Sequence, residues 1–181
     1  MITSNEEALR KLVRFEVIDG KIEDEFNFKI KPFPNDSIDD EALKVNRIEK
    51  IALYLEPYKE PKVIYNEFTA ILKKYIDKFE KTDKFYFIAY NASFDMDMLR
   101  TFFDKNGDKY FGSWFFFPYI DVMTIAAAAL VRNRHTMTDF KLGTVAKELG
   151  LSVDESKQHD AMYDIKLTRD IMGVLRVRRK E

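Results

Sequence analysis

The chain of 181 residues has no cysteine, only two histidines (His135 and His159), one tryptophan, five prolines and six glycines. Without thiols there is no disulfide, no thiolate zinc site and no cysteine nucleophile. Two histidines are too few for a His-rich metal cage. No apolar run approaches the roughly 20 residues that cross a bilayer. Residues 1–10 lack the apolar core of a signal peptide, so the expectation is a soluble intracellular chain, cytoplasmic, with no membrane contact. An excess of one charge is also missing: 30 basic and 31 acidic residues give a net charge of −1, which excludes a uniformly basic coat but not a local basic groove.

Apolar residues make up 46% and charged ones 34%, which leaves a chain able to bury a core and fits one domain spanning residues 1–181. Val13, Phe15 and Val17 alternate with charges, and Asp19-Gly20 is a strong hairpin turn signal. Ile22, Phe26, Phe28 and Ile30 then share one face, so a hairpin is predicted from about Leu12 to Lys31. Asp39 is placed to cap a short helix containing Ala42, Leu43 and Val45. Phe68, Ile71, Leu72, Tyr75, Ile76 and Phe79 recur at helical spacing and predict one amphipathic helix. Residues 85–90 read as a buried strand, followed by a helix with Met98, Leu99, Phe102 and Phe103 that ends at Asn106-Gly107. Trp114 to Ile120 fits a strand or a loop. Asp121 opens an Ala-rich helix, residues 132–139 are loop-like, Leu142 to Leu149 forms a helix closed by Gly150, and the last helix runs from Asp160 to about Val177. This mixture points to an α/β or α+β layered domain. The 25 Phe and Tyr residues read as mostly core.

Two short segments carry chemistry. Asn91-Ala-Ser-Phe-Asp95 sits where a strand hands over to a helix, a place where α/β folds put ligands. Asp95 can be read there as a helix cap or as a metal ligand. His159-Asp160-Ala-Met-Tyr-Asp164 opens the last helix, with Asp164 one turn in and Thr168 a turn further. Together they supply what phosphoryl hydrolysis requires: hard carboxylate oxygens for Mg²⁺ or Mn²⁺, and a base near neutrality for the attacking water.

These segments resemble the second and third motifs of the DEDDh family of 3′→5′ exonucleases, which includes the proofreading subunit of bacterial replicative polymerases. Softer similarities follow in family order: Asp19-Gly-Lys-Ile-Glu-Asp-Glu-Phe26, Glu41-Ala-Leu-Lys-Val45-Asn46-Arg-Ile48, Asp121-Val-Met-Thr124 and Lys141-Leu-Gly-Thr-Val-Ala-Lys-Glu-Leu-Gly-Leu151. The resemblance covers about residues 12 to 172. It implies a ribonuclease-H-like mixed β-sheet flanked by helices, and a two-metal site with Mg²⁺ or Mn²⁺. Asp95 and Asp164 would be metal ligands and His159 the base, while Val45, Asn46, Asn91 and Phe94 would contact the terminal nucleotide. For Phe94 a core position is the alternative reading. The implied partner is a single-stranded DNA 3′ end, with RNA also open, and a polymerase subunit is a further implied partner.

The family's first motif, Asp-x-Glu on a central opening strand, has no match: residues 1–18 contain no aspartate. Asp39-x-Glu41 has the letters but enters a helix, and reads as capping. The expectation is a chain that starts just after this motif and so lacks the first central strand. A natural inactive derivative, or a gap filled by residues 1–10 or by a partner strand, are the alternatives. Loss of that pair would cost most of the activity, so the second functional reading is a catalytically inactive nuclease-like module that binds nucleic acid or a polymerase. His159-Asp160 also raises an HD-type phosphohydrolase, which needs histidines the chain does not have.

Overall fold

The computed structural model describes residues 14–16, 22–45, 48–157 and 160–178. Strand β1 (Arg14–Glu16) pairs antiparallel with β2 (Ile22–Glu25), as the hairpin reading expects, though the Asp19-Gly20 turn lies outside the described residues. The ladder is shorter than predicted. Beyond Glu25 the chain continues without strand pairing until a single bridge from Ile30 to Lys59. The alternation of side chains persists: Phe26 and Phe28 pack on the core and Ile30 is buried, while Glu25, Asn27 and Lys29 are exposed. An extended backbone suffices for that period, and a partner strand is not required. Helix α1 (Asp40–Val45) begins where Asp39 Oδ1 accepts the Glu41 N–H at 2.8 Å, so Asp39-x-Glu41 is a cap.

Helix α2 (Pro61–Leu72) starts on a proline, whose missing N–H costs nothing at that position. It ends at Leu72 rather than continuing to Phe79. The turn that follows is held by Asp77 Oδ1, which accepts the Phe79 N–H at 3.0 Å, and by Asp83 Oδ2, which accepts the Asp77 N–H at 2.8 Å. Such aspartate-to-backbone bonds offer the chain an alternative to the helical ladder. Tyr75 and Ile76 still pack on the core, but Phe79 is 84% exposed.

Strand β3 (Ile88–Ala89) pairs parallel with β4 (Ile120–Asp121), with an isolated bridge upstream between Phe85 and Phe115. Residues 85–90 are therefore only partly a buried strand. Phe85 and Phe87 pack inward, whereas Tyr86 and Ile88 on the opposite face are exposed. Helix α3 (Ala92–Lys105) leaves β3 and closes at Gly107 with φ +84°; α4 (Val122–Ala129) leaves β4; α5 (Leu142–Glu148) closes at Gly150, also φ +84°; and α6 (Ala161–Arg178) ends the described chain.

One apolar cluster joins α2, α3 and the segment around Trp114, and contains Phe68, Leu72, Phe102 and Phe103. A second joins α4, α5 and α6 through Val122, Val145 and Ile171. The architecture is α/β, with the parallel pair β3–β4 between helices. Among the described residues the hairpin and the parallel pair are separate two-stranded sheets, so the single mixed sheet implied by the resemblance is not formed by them.

Candidate functional site at the end of the parallel strands

Asn91 turns the chain from β3 into α3. It holds φ +62°, the one non-glycine residue at positive φ among those described. Asparagine tolerates this region better than most residues. Its N–H donates to Asp121 Oδ1 at 3.1 Å, and the same oxygen accepts the Met123 N–H at 3.0 Å. Asp121 Oδ2 accepts the Thr124 hydroxyl at 3.1 Å. One carboxylate at the end of β4 thus caps α4 and ties down the start of α3. The sequence reading gave Asp121 the helix start. It missed the cross-strand hold on Asn91, because that depends on which strand lies beside β3.

Asn91, not Asp95, is the N-cap of α3, which overturns the capping alternative for Asp95. Asp95 lies in the first helical turn, half-buried, with its Oδ1 shielded from solvent. Phe94 is 44% exposed and so is not a core aromatic, which removes that alternative. Its N–H donates to the Asn91 carbonyl at 3.1 Å.

Asp164 occupies the first turn of α6. Asp160 Oδ1 caps this end by accepting the Tyr163 N–H at 2.9 Å, and the Thr168 hydroxyl donates to the Asp164 carbonyl at 2.8 Å. Thr168 therefore supports the helix backbone. Tyr163 and Tyr90 pack on the same apolar cluster, which anchors the start of α6 and the end of β3 to common neighbours. The Tyr90 hydroxyl donates to the Phe140 carbonyl at 2.6 Å. Burial, and then the negative charges of Asp121 and Asp139, push its pKa far above the ordinary tyrosine range, so it remains a neutral donor. Asp139, at the surface, is held below the ordinary carboxylate range by the Thr144 hydroxyl and the Lys141 N–H.

His159 and Asn46 lie outside the described residues, and Val45 is described as the last residue of α1. Among the described residues no group of three or more His, Asp or Glu side chains is arranged to hold a metal ion. No helix among them is long and apolar enough to cross a membrane. Arg134 donates to the Met137 carbonyl at 3.4 Å and lies 5.3 Å from the Phe140 ring, so the basic loop at 132–135 folds partly onto itself.

The amino-acid sequence is similar to those of known proteins. Ribonuclease T of Buchnera aphidicola subsp. Baizongia pistaciae (strain Bp) is 25% identical over 145 residues, which are 80% of this chain and 62% of that protein. Ribonuclease T of Shewanella frigidimarina (strain NCIMB 400) is 26% identical over 149 residues, 82% and 63% of the two chains. Ribonuclease T of Wigglesworthia glossinidia brevipalpis is 25% identical over 154 residues, 83% and 66%. The chain spans just under two thirds of the length of these relatives. The sequence profile of the exonuclease family matches residues 4–172, nearly the whole chain, and the chain belongs to that family.

Proposed function

We propose that the chain is a 3′→5′ exonuclease domain acting on the 3′ end of a single strand. The observation that carries the reading is the family match together with Asp95 in the first turn of the helix that leaves β3, at the end of a parallel strand pair. The order of the motifs in the sequence supports the same direction of attack. Relatives named ribonuclease T make RNA as good a candidate as DNA.

Asp95 and Asp164 offer hard oxygens that fit Mg²⁺ or Mn²⁺ rather than softer metals. Two carboxylates leave much of the coordination sphere to water and substrate phosphate, as Mg²⁺ commonly accepts. A bound ion would supply charge neutralisation at the scissile phosphate. His159 takes a proton from the attacking water. As the water oxygen bonds to phosphorus, the bond to the 3′ oxygen of the preceding nucleotide breaks, and that oxygen takes up a proton from solvent to become the new 3′ hydroxyl. The products are a nucleoside 5′-monophosphate and a strand one residue shorter. Phe94 stacks on the terminal base, with Val45, Asn46 and Asn91 about it. The protein works in the cytoplasm, and a polymerase subunit is the partner the resemblance offers.

The test is stepwise shortening of a 5′-labelled single strand in Mn²⁺. His159→Ala should slow it by about 10²–10⁴-fold, and equal rates in the two proteins overturn the reading. The absence of aspartate from residues 1–18 favours a second reading, a nuclease-like module that binds without cutting. Degradation by the purified wild type, abolished in Asp95→Asn, excludes it.

A further inference from the structure

Most aromatic side chains here are inside, but the upstream end of one face of the parallel pair, before Tyr90 enters the second cluster, is not covered. Tyr86 is 64% exposed and Ile88 38%, on the side of the strand opposite Phe85 and Phe87. The neighbouring segment takes six residues, Phe115 to Ile120, to match the four from Phe85 to Ile88. The two extra residues bulge outward, and Phe117 is 83% exposed. The Tyr86 and Phe116 rings stack with centroids 4.9 Å apart at 33°, and Phe117 meets Tyr119 edge-on at 6.4 Å. The expectation that the aromatics are mostly core holds, and Tyr86 and Phe117 are exceptions to it.

A cation borders the same face. Lys84 Nζ is fixed by the Gly112 carbonyl at 2.6 Å and stands 5.9 Å from the Phe116 ring. Lys78, Lys81 and Lys84 recur every third residue along the approach to Tyr86. The acids between them are turned into the loop's own bonds: Glu80 Oε1 accepts the Thr82 N–H and hydroxyl, and Asp83 accepts the Asp77 N–H. Exposed rings with a fixed ammonium group beside them, and further lysines in the segment leading to it, match a partner that has flat π-faces and a regular line of negative charge.

We propose that the face carrying Tyr86, Phe116, Phe117 and Lys84 is a docking track for the body of a single-stranded nucleic acid whose 3′ end lies at Asp95. Asn91 lies five positions after Tyr86, about 16 Å of extended chain, so the track engages nucleotides several positions from the end. The inference rests on the exonuclease reading for the direction of the strand, not for the binding itself.

The probe is a fluorescein-labelled 12-nucleotide oligothymidylate, followed by anisotropy in EDTA. Tyr86→Ala/Phe117→Ala should raise its Kd about ten- to a hundredfold. Lys84→Ala should reduce the slope of log Kd against log salt by about 0.7, the value for one phosphate contact on a single strand. Turnover of a dinucleotide in Mn²⁺, too short to reach Tyr86, should be the same in wild type and double variant. An unchanged Kd in the double variant overturns the track, and dinucleotide cleavage by the wild type would then leave the exonuclease reading standing. Tight 12-mer binding lost in the variant, with no cleavage of any strand by the wild type, supports the track and removes the exonuclease reading. A wild-type dimer that the double variant splits assigns the face to a second copy of the chain and overturns the track.

Discussion

The side chain of Asp121 does three things at once, and its removal tests them together. Asp121→Ala deletes the cap of α4 and the hold on Asn91, and should lower stability by about 1–2 kcal/mol. Asp121→Asn keeps an accepting oxygen and should lose less than half of that. Urea unfolding of both variants gives the comparison. Tyr65 and Asp108 form a second informative pair: the Tyr65 hydroxyl donates to Asp108 Oδ2 at 2.7 Å, and the Trp114 indole N–H donates to the same oxygen at 3.1 Å. Burial, helped by Asp108, raises the Tyr65 hydroxyl well above 10.0. At Asp108 burial pulls upward, but the bonds from Tyr65, the Tyr110 N–H and Trp114 outweigh it and leave the carboxyl below 3.8. Stability from Asp108 is thus present above about pH 4 and lost as the pH falls through its lowered value. Stability from Tyr65 is present below about pH 10 and lost as the pH rises beyond it. Tyr65→Phe should cost about 1 kcal/mol at pH 7 and flatten both limbs of a stability-against-pH curve; unchanged limbs would refute the pairing.

The elements show which local signals were strong enough to stand alone. Asp39, Asp121 and Asp160 each begin a helix as their chemistry predicts, because a cap is decided within four residues. Gly107 and Gly150 end α3 and α5 for the same reason, through a left-handed residue that other side chains resist. Gly150→Ala should therefore destabilise by about 1–2 kcal/mol, even though nothing lies within 4 Å of the added Cβ. Gly173 also has open space around its Cβ, but it lies inside α6 without a positive φ, so Gly173→Ala should stabilise by up to about 1 kcal/mol. Thermal melts of the two variants should move in opposite directions. Where signals competed, the longer pattern lost. Helical spacing through Phe79 gave way after Leu72 to aspartate-bound turns, and the period-two run to Ile30 kept its faces without a partner strand.

On the scale of the molecule, two apolar clusters share the load. Leu72→Ala in the first and Ile171→Ala in the second should each cost about 2–5 kcal/mol and combine nearly additively, as sites without shared partners do. Calorimetry of the double variant measures this. If Asp95 and Asp164 hold a divalent ion, millimolar Mn²⁺ should raise the melting temperature of the wild type. The rise should disappear in EDTA and in Asp95→Asn/Asp164→Asn, and an equal rise in that variant would remove the two carboxylates from the site.

The sequence by itself determined the caps at Asp39, Asp121 and Asp160, the glycine stops, the inward faces of α2, α3 and α5, and the family, because each is written in residues near one another or in the order of motifs. Only the tertiary structure decided that Asp121 reaches Asn91, that Asp95 lies inside its helix and not at the cap, and that Tyr86 and Phe117 face solvent. Those outcomes depend on which strand lies beside which and on the two-residue bulge between Phe115 and Ile120. A pattern of apolar residues shows that a side chain prefers burial, but only the placing of its neighbours settles whether anything covers it.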